Sequence, residues 1–329
     1  MPYAYRMTTS VWRFRRPKHA GLLAGAIANG MEIMERDQGA ILPDLRATNA
    51  LGLACDFSGQ HAQSHFDTYA FLLFDASAYI DWEAARATIR KVLIRDDRRI
   101  SYKNLRDNVQ WRALEPFLAA AGTLPGIILT VSADKRFSPE FIVGPGFRMQ
   151  EFEDISRFND WKVSTVLKAA WVVHTAAILI AGLAAAGQNL LWVMDQDEIV
   201  ETAERRKTLI ASFIDVISDY LNFDMGGVEM ITADQDPGTR RVEDLLSIAD
   251  LTAGAWADTF TTIRSARDAE SLKEIFARKS ERARDKAQLI CEWSAQNTRR
   301  RLKYMNIAMS PGDERMPVYS MYIHPRRSA

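Results

Sequence analysis

Apolar positions along this chain follow two periods: short continuous runs bounded by Gly, Asp, Ser or Asn, which predict strands, and longer stretches with a helical repeat. Leu51-Gly-Leu-Ala-Cys-Asp56 predicts a strand closing in the turn Phe57-Ser58-Gly59, and Thr68 to Phe74 predicts its hairpin partner. Helical periodicity follows at Trp82 to Ile94 and Trp111 to Ala121, on either side of the basic polar segment Arg98 to Leu105. Gly126 to Val131 predicts a third strand. After Val143-Gly-Pro-Gly146 the pattern alternates: helix from about Trp161 to Ala186, strand Leu190 to Met194, helix Glu201 to Leu221, strand Gly227 to Ile231 and helix Val242 to Phe260. The turn Asp234-Gln-Asp-Pro-Gly238 separates the last two elements, and Ile263 to Tyr304 reads as helical.

Three strands followed by helix, strand, helix, strand, helix predicts an α/β fold with helices on both faces of a mixed five-stranded sheet. That element order is the order of the ribonuclease H-like fold, in which the first and fourth strands are parallel neighbours. The expected organisation is a basic, partly helical N-terminal extension over 1–48, the sheet domain over 49–262 with a helical insertion at about 80–123, and a basic helical extension over 263–329. Two stretches invite other readings. A basic segment before Ala20 to Ala28 loosely resembles a signal peptide, but its apolar spacing continues through Ile27, Met31 and Met34, as in an ordinary helix. Ala169 to Gly187 is nearly long enough to cross a bilayer, yet its eight alanines and His174 favour a buried globular helix and no membrane partner.

Composition changes this picture little. The 329 residues are 47% hydrophobic, enough for a sizeable core, and 42 Lys plus Arg balance 42 Asp plus Glu. Net charge therefore gives no support for general affinity to polyanions, and nucleic-acid binding requires local basic patches. Such patches exist: five basic and no acidic residues lie between Met1 and Ala20, and twelve basic against six acidic between Arg264 and Lys303. Cys55 and Cys291 are too few for a disulfide framework or a thiolate zinc site, which points to a reducing, cytoplasmic setting.

Chemistry enters with three aspartates. Asp56 ends the first strand, Asp195 ends the fourth, and Asp250 lies on the apolar face of the last helix of the sheet domain. A carboxylate on a buried scaffold is costly unless a cation compensates it, so their recurrence points to a shared divalent-metal site. Parallel first and fourth strands would deliver Asp56 and Asp195 to one sheet edge, and small residues beside Asp250 (Ala249, Ala253, Gly254) would let the helix approach closely. Asp197 and Glu198 are additional candidate ligands. Mg²⁺ or Mn²⁺ suits such oxygen donors, and two ions about 3.5–4 Å apart support phosphodiester hydrolysis. Taken singly, Asp56 could cap a turn, and Asp195 and Asp197 could solvate a loop. His61 and His65 are within reach of a phosphate but read more simply as solvated loop residues, and His174 as a core residue. No phosphate-binding Gly-rich loop and no Ser-His-acid combination stands out.

These residues together resemble the domain-of-unknown-function 3800 family, over roughly Leu51 to Phe260. Asp56-Phe57-Ser58-Gly59 is similar to the family's Asp-Glu-Ser-Gly, and Leu245-Leu-Ser-Ile-Ala-Asp250-Leu to its Leu-Gln-Ile-Ala-Asp-Leu helix. Ile127 to Lys135 resembles its strand closing on a lysine, and Trp192 to Glu198 its intermediate acidic strand. The resemblance implies a ribonuclease H-like nuclease, in a mobile-element or antiviral-defence context, with Asp56, Asp195 and Asp250 as metal ligands. Phe57 departs from the family's usual glutamate, so Asp197 or Glu198 must compensate or the site is weakened.

The leading expectation is a Mg²⁺- or Mn²⁺-dependent nuclease acting on DNA or RNA. Asp56 and Asp195 bridge the ions, Asp250 and Asp197 complete the ligation, and Lys135 or Lys103 contacts phosphate. Arg15, Arg16, Arg98, Lys103 and Arg300 are the candidate backbone contacts, with Trp12, Phe14 and Tyr102 available to stack on bases. A catalytically degenerate subunit that binds nucleic acid, a second copy or a partner protein is the alternative. A glycosyltransferase using Asp195-Gln-Asp197 leaves Asp56 and Asp250 unexplained.

Overall fold

The computed structural model describes residues 10–14, 21–38, 42–96, 98–137, 155–265, 286–295, 300–311 and 318–323. Their elements are α1 (Leu22–Gln38), β1 (Ala50–Ser58), β2 (Phe66–Asp75), α2 (Ile80–Val92), α3 (Asn108–Ala121), β3 (Gly126–Asp134) and α4 (Val163–Leu183). There follow β4 (Asn189–Met194), α5 (Ala203–Tyr220), β5 (Val228–Thr232), α6 (Arg241–Ser265), α7 (Lys286–Ala295), β6 (Leu302–Pro311) and β7 (Val318–Ile323).

One mixed seven-stranded sheet runs in the order β5-β4-β1-β2-β3-β6-β7. β1, β2 and β3 form an antiparallel meander, β4 pairs parallel to β1, β5 parallel to β4, and β6 parallel to β3, with β7 antiparallel at the edge. Side chains alternate between two cores, as a pleated strand requires. On β1, Leu51, Leu53 and Cys55 join α1, α4 and α5 on one face, whereas Ala54 joins α2, α3, α6 and α7 on the other.

The sheet has two strands more than the five expected, because the C-terminal region is not wholly helical. Helical periodicity read through to Tyr304 obscured a two-residue period: Met305, Ile307 and Met309 enter the α4 core, and Tyr304 and Ala308 the α6 core. A strand buried on both faces shows an almost continuous apolar run, easily merged with a preceding helix. The N-terminal helix is likewise no loose appendage, since Leu23, Ile27, Met31 and Met34 of α1 lie in the same core as α4. Helix α4 is long and apolar enough to cross a membrane, but 89% of its most apolar window is buried inside the fold.

Packing between α6 and the sheet is tight at one place. Ala249 and Ala253 meet Ala70 of β2, three small side chains that let helix and strand backbones approach. Gly254 is needed beside them, because a Cβ there would lie 2.3 Å from Cγ of Tyr102.

Candidate active site

Strand register brings the first two aspartates together. Cys55 pairs with Met194 in the parallel β1–β4 ladder, so Asp56 and Asp195 are the next residues along adjacent strands. Both point to the α6 face, having the parity of Ala54 and Val193. Asp56 stands opposite Ala70 across the β1–β2 ladder, and Ala70 packs against Ala249 and Ala253. Asp250 follows Ala249 directly, so α6 suspends the third carboxylate over the other two.

Each acid is held by one oxygen. Asp56 Oδ1 accepts the Phe57 amide at 2.7 Å, Asp195 Oδ1 the Gln196 amide at 2.9 Å, and Asp250 Oδ2 the Tyr102 amide at 2.6 Å. Among the described residues, the opposite oxygens of Asp56 and Asp195 meet only Arg99, whose Nη2 lies 3.5 Å from Asp56 Oδ2 and whose Nη1 lies 2.5 Å from Asp195 Oδ2. Electrostatics follow from this crowding. Burial first, then repulsion from Asp250 and Asp195, holds the Asp56 carboxyl well above the ordinary carboxylate range. Burial also raises Asp250; Asp195 adds to the shift, while the Tyr102 amide, Arg99 and Lys103 oppose it. Burial by itself would lower the Arg99 guanidinium, but attraction to Asp195, and then to Asp56 and Asp250, outweighs it and raises its pKa.

Arg99 arrives on the segment between α2 and α3, which is fixed on both sides. Arg90 Nη1 donates to the Arg98 carbonyl at 3.2 Å, and beyond Arg99 the Tyr102 amide is bound to Asp250. Tyr102 lies against Gly254, its hydroxyl donates to Asp258 at 2.7 Å, and Lys286 Nζ sits 3.7 Å from its ring centroid.

Other expected site residues are used differently. Asp197 is on the opposite face of the sheet, where its carboxylate accepts from Lys168 Nζ at 2.5 Å and from the Ile199 amide at 3.2 Å. Lys168 lies over the Phe57 ring, 5.0 Å from its centroid, and Glu198 accepts from Thr165 at 2.9 Å. Neither acid joins the three-aspartate cluster, so neither supplies the extra carboxylate that Phe57 does not. An Asp195-Gln-Asp197 metal grip is excluded for the same reason. Lys135 lies at the far end of the β2–β3 ladder, where it donates to the His61 carbonyl at 2.8 Å and faces Asp67 at 3.6 Å. Four strand residues, roughly 13 Å, separate Phe66, the partner of Asp134, from Ala70, the partner of Asp56. Lys135 therefore braces the turn after β1 and does not reach the aspartates.

Among the basic candidates, Arg98 is paired with Asp96 at 2.5 Å and Asp107 at 2.8 Å, and Arg300 packs over Trp293 with its guanidinium 4.9 Å from the ring. Lys103 is exposed in the turn carrying Tyr102, on the same segment as Arg99 and near enough to act on Asp250. Arg15 and Arg16 lie outside the described residues. The aromatics proposed to stack on bases are buried instead: Trp12 packs on Gly182, Phe14 on Tyr220, and Tyr102 on Gly254. His65 meets Ser265 at 3.2 Å, and His174 bonds the Tyr220 hydroxyl at 2.9 Å.

Two aspartates not singled out by sequence are tied up in ion pairs. Asp244 is fully buried between Arg86 and Arg90, and Asp134 between Arg136 and Arg264. Their only sequence signal is an acid on an element otherwise apolar at that face. Among the described residues, no three His, Cys, Asp or Glu side chains are already drawn together to hold a metal ion. At the aspartate cluster the Arg99 guanidinium lies between Asp56 and Asp195. The donor set nevertheless suits a hard divalent ion: one carboxylate oxygen on each of three aspartates has no backbone partner, and backbone amides orient the opposite oxygens. No protein-family model matches this chain, and no curated protein matches it at a significant level.

Proposed function

We propose that this chain is a divalent-metal-dependent nuclease of ribonuclease H-like architecture, related to the domain-of-unknown-function 3800 family and hydrolysing phosphodiester bonds of DNA or RNA. Strand order β3-β2-β1-β4-β5, with α6 crossing the meander, supports the architectural part; β6 and β7 extend it beyond β3. One observation carries the functional part. Asp56, Asp195 and Asp250 share one face, each turned by a backbone amide so that its second oxygen is left to Arg99 or, among the described residues, unbonded.

In this reading the three carboxylates hold Mg²⁺ or Mn²⁺, which supplies water activation and stabilisation of the leaving oxygen. The chain's own contribution is orientation and charge. Backbone amides of Phe57, Gln196 and Tyr102 fix the ligand oxygens before substrate arrives, and Lys103 offers a cation to a phosphate beside Asp250.

Arg99 favours a second reading. Its ion pairs, with Asp197 diverted to Lys168 and Phe57 in place of a carboxylate, suit a degenerate protein that keeps the fold to bind nucleic acid or a partner. Purified protein incubated with labelled single- and double-stranded DNA and RNA, in Mg²⁺, Mn²⁺ or chelator, separates the two. Metal-dependent cleavage that disappears in both Asp56→Asn and Asp195→Asn supports the nuclease. Binding without cleavage, indifferent to chelator, refutes it in favour of the second reading.

A further inference from the structure

We propose that Arg99 is a built-in counter-cation that must leave Asp56 and Asp195 before a divalent ion can enter, and so sets how tightly the site takes metal. The inference rests on the nuclease reading but concerns a residue outside the acid triad.

The guanidinium engages the same two oxygens that the backbone leaves open, Asp56 Oδ2 and Asp195 Oδ2. Cation and guanidinium cannot both occupy them, and two positive groups at one spot repel. Arg99 is also imperfectly housed: its Nε is buried and makes no hydrogen bond. A donor stripped of water without a partner costs free energy, which makes this resting place easier to vacate than a fully bonded one. Departure needs no loop motion. The Arg98 carbonyl stays on Arg90 and the Tyr102 amide stays on Asp250, so rotation of the Arg99 side chain alone clears the site. Its side chain as a whole retains a quarter of its exposure to solvent, giving it a way out. Once released it remains on the segment that carries Lys103, where it adds to the positive charge available to a phosphate.

Competition of this kind lowers apparent affinity by the fraction of molecules in which the site is open. If the ion-paired state holds about nine-tenths of the population, removing the guanidinium tightens metal binding about tenfold.

The test is calorimetric titration of Mn²⁺ into chelator-stripped wild type, Arg99→Gln and Arg99→Lys. Arg99→Gln should bind more tightly than wild type, about tenfold for that population, and Arg99→Lys, whose ammonium cannot fork across two carboxylates, should fall between. Independently of any variant, the Arg99 Nε–Hε resonance of the wild type should shift in step with Mg²⁺ occupancy. Equal or weaker Mn²⁺ binding by Arg99→Gln, with wild type binding normally, overturns the competition and leaves the nuclease reading intact. Should the variant not fold, an Arg99 resonance unmoved at saturating Mg²⁺ overturns it equally. Failure of wild type and Arg99→Gln alike to bind Mn²⁺ removes both proposals.

Discussion

Asp244→Asn tests the framework that carries Arg99 to the aspartates. Asp244 is completely buried and receives Arg86 Nη1 at 3.0 Å, Arg90 Nε at 2.6 Å and Arg90 Nη2 at 2.5 Å. Arg86 and Arg90 keep only 5% and 13% of their side-chain exposure, so neither can recover its hydration when the carboxylate goes. Asparagine preserves shape and one acceptor but leaves two cations against a neutral group. Breaking a buried ion pair from one side costs about 3–5 kcal/mol, and the retained acceptor and the Glu83 partner of Arg86 place this variant near the lower figure, about 3 kcal/mol. The exposed Arg205–Glu201 pair is the control: Glu201 keeps 68% of its exposure, and Glu201→Ala should cost well under about 1 kcal/mol. Equilibrium urea unfolding at pH 7, followed by tryptophan fluorescence, measures both. Because Arg90 also holds the Arg98 carbonyl, the loss should loosen the neighbouring Arg99. A cost below about 1 kcal/mol for Asp244→Asn, equal to that of the exposed control, would refute the claim that this cluster is an unscreened buried charge network.

Two further outcomes are expected. Gly254→Ala gains about 1 kcal/mol of helix propensity but drives a methyl into Tyr102 Cγ at 2.3 Å and Cβ at 2.8 Å, so overpacking of about 1–3 kcal/mol should leave it unchanged or up to about 2 kcal/mol less stable. Mn²⁺ titration should also weaken as the Tyr102 amide moves off Asp250; a more stable variant with unchanged metal affinity contradicts this. For His174, burial lowers the imidazole to about 4, below the 6.5 of the free side chain. The unfolded chain therefore binds the proton first, and the stability present above about pH 6.5 is lost as pH falls towards 4. Between pH 7 and pH 4.5 the loss from this one group is about 2.5 kcal/mol, so His174→Gln should show a correspondingly flatter pH profile in urea unfolding. Parallel profiles for the two proteins would exclude a buried neutral His174.

Much of the fold was legible because most elements carry a single clear period. Leu51 to Asp56 and Leu190 to Met194 are apolar runs ended by an acid, and they are β1 and β4; the last helix, read as Val242 to Phe260, spans Arg241–Ser265. Period alone could not separate Tyr304-Met-Asn-Ile-Ala-Met309 from the helical pattern before it, and β6 was lost there. Side-chain direction was harder still. Asp195 and Asp197 share a strand parity that the turn after Met194 breaks, sending Asp197 through the fold's edge to Lys168. Arg99 was visible only as one cation in a basic run, since nothing local in Arg98-Arg-Ile-Ser-Tyr-Lys103 marks which guanidinium will cross to β1 and β4.

Charge compensation is what distinguishes the acids afterwards. Asp244 is one carboxylate shared by two arginines, and Asp134, 1% exposed, also meets two, with the Ser310 hydroxyl at 3.3 Å. Each meets two guanidiniums, whose charge-assisted hydrogen bonds offset the cost of desolvating the carboxylate. Asp56, Asp195 and Asp250 invert the ratio, three carboxylates to the Arg99 guanidinium and the more distant Lys103, and it is there that burial and mutual repulsion lift two of them. A protein selected only for stability would have little reason to keep three carboxyl groups together with fewer cations than acids among the described residues, because replacing one by asparagine would relieve the repulsion at no loss of shape. The deficit is intelligible if the missing charge is supplied from solution, by an ion of valence two.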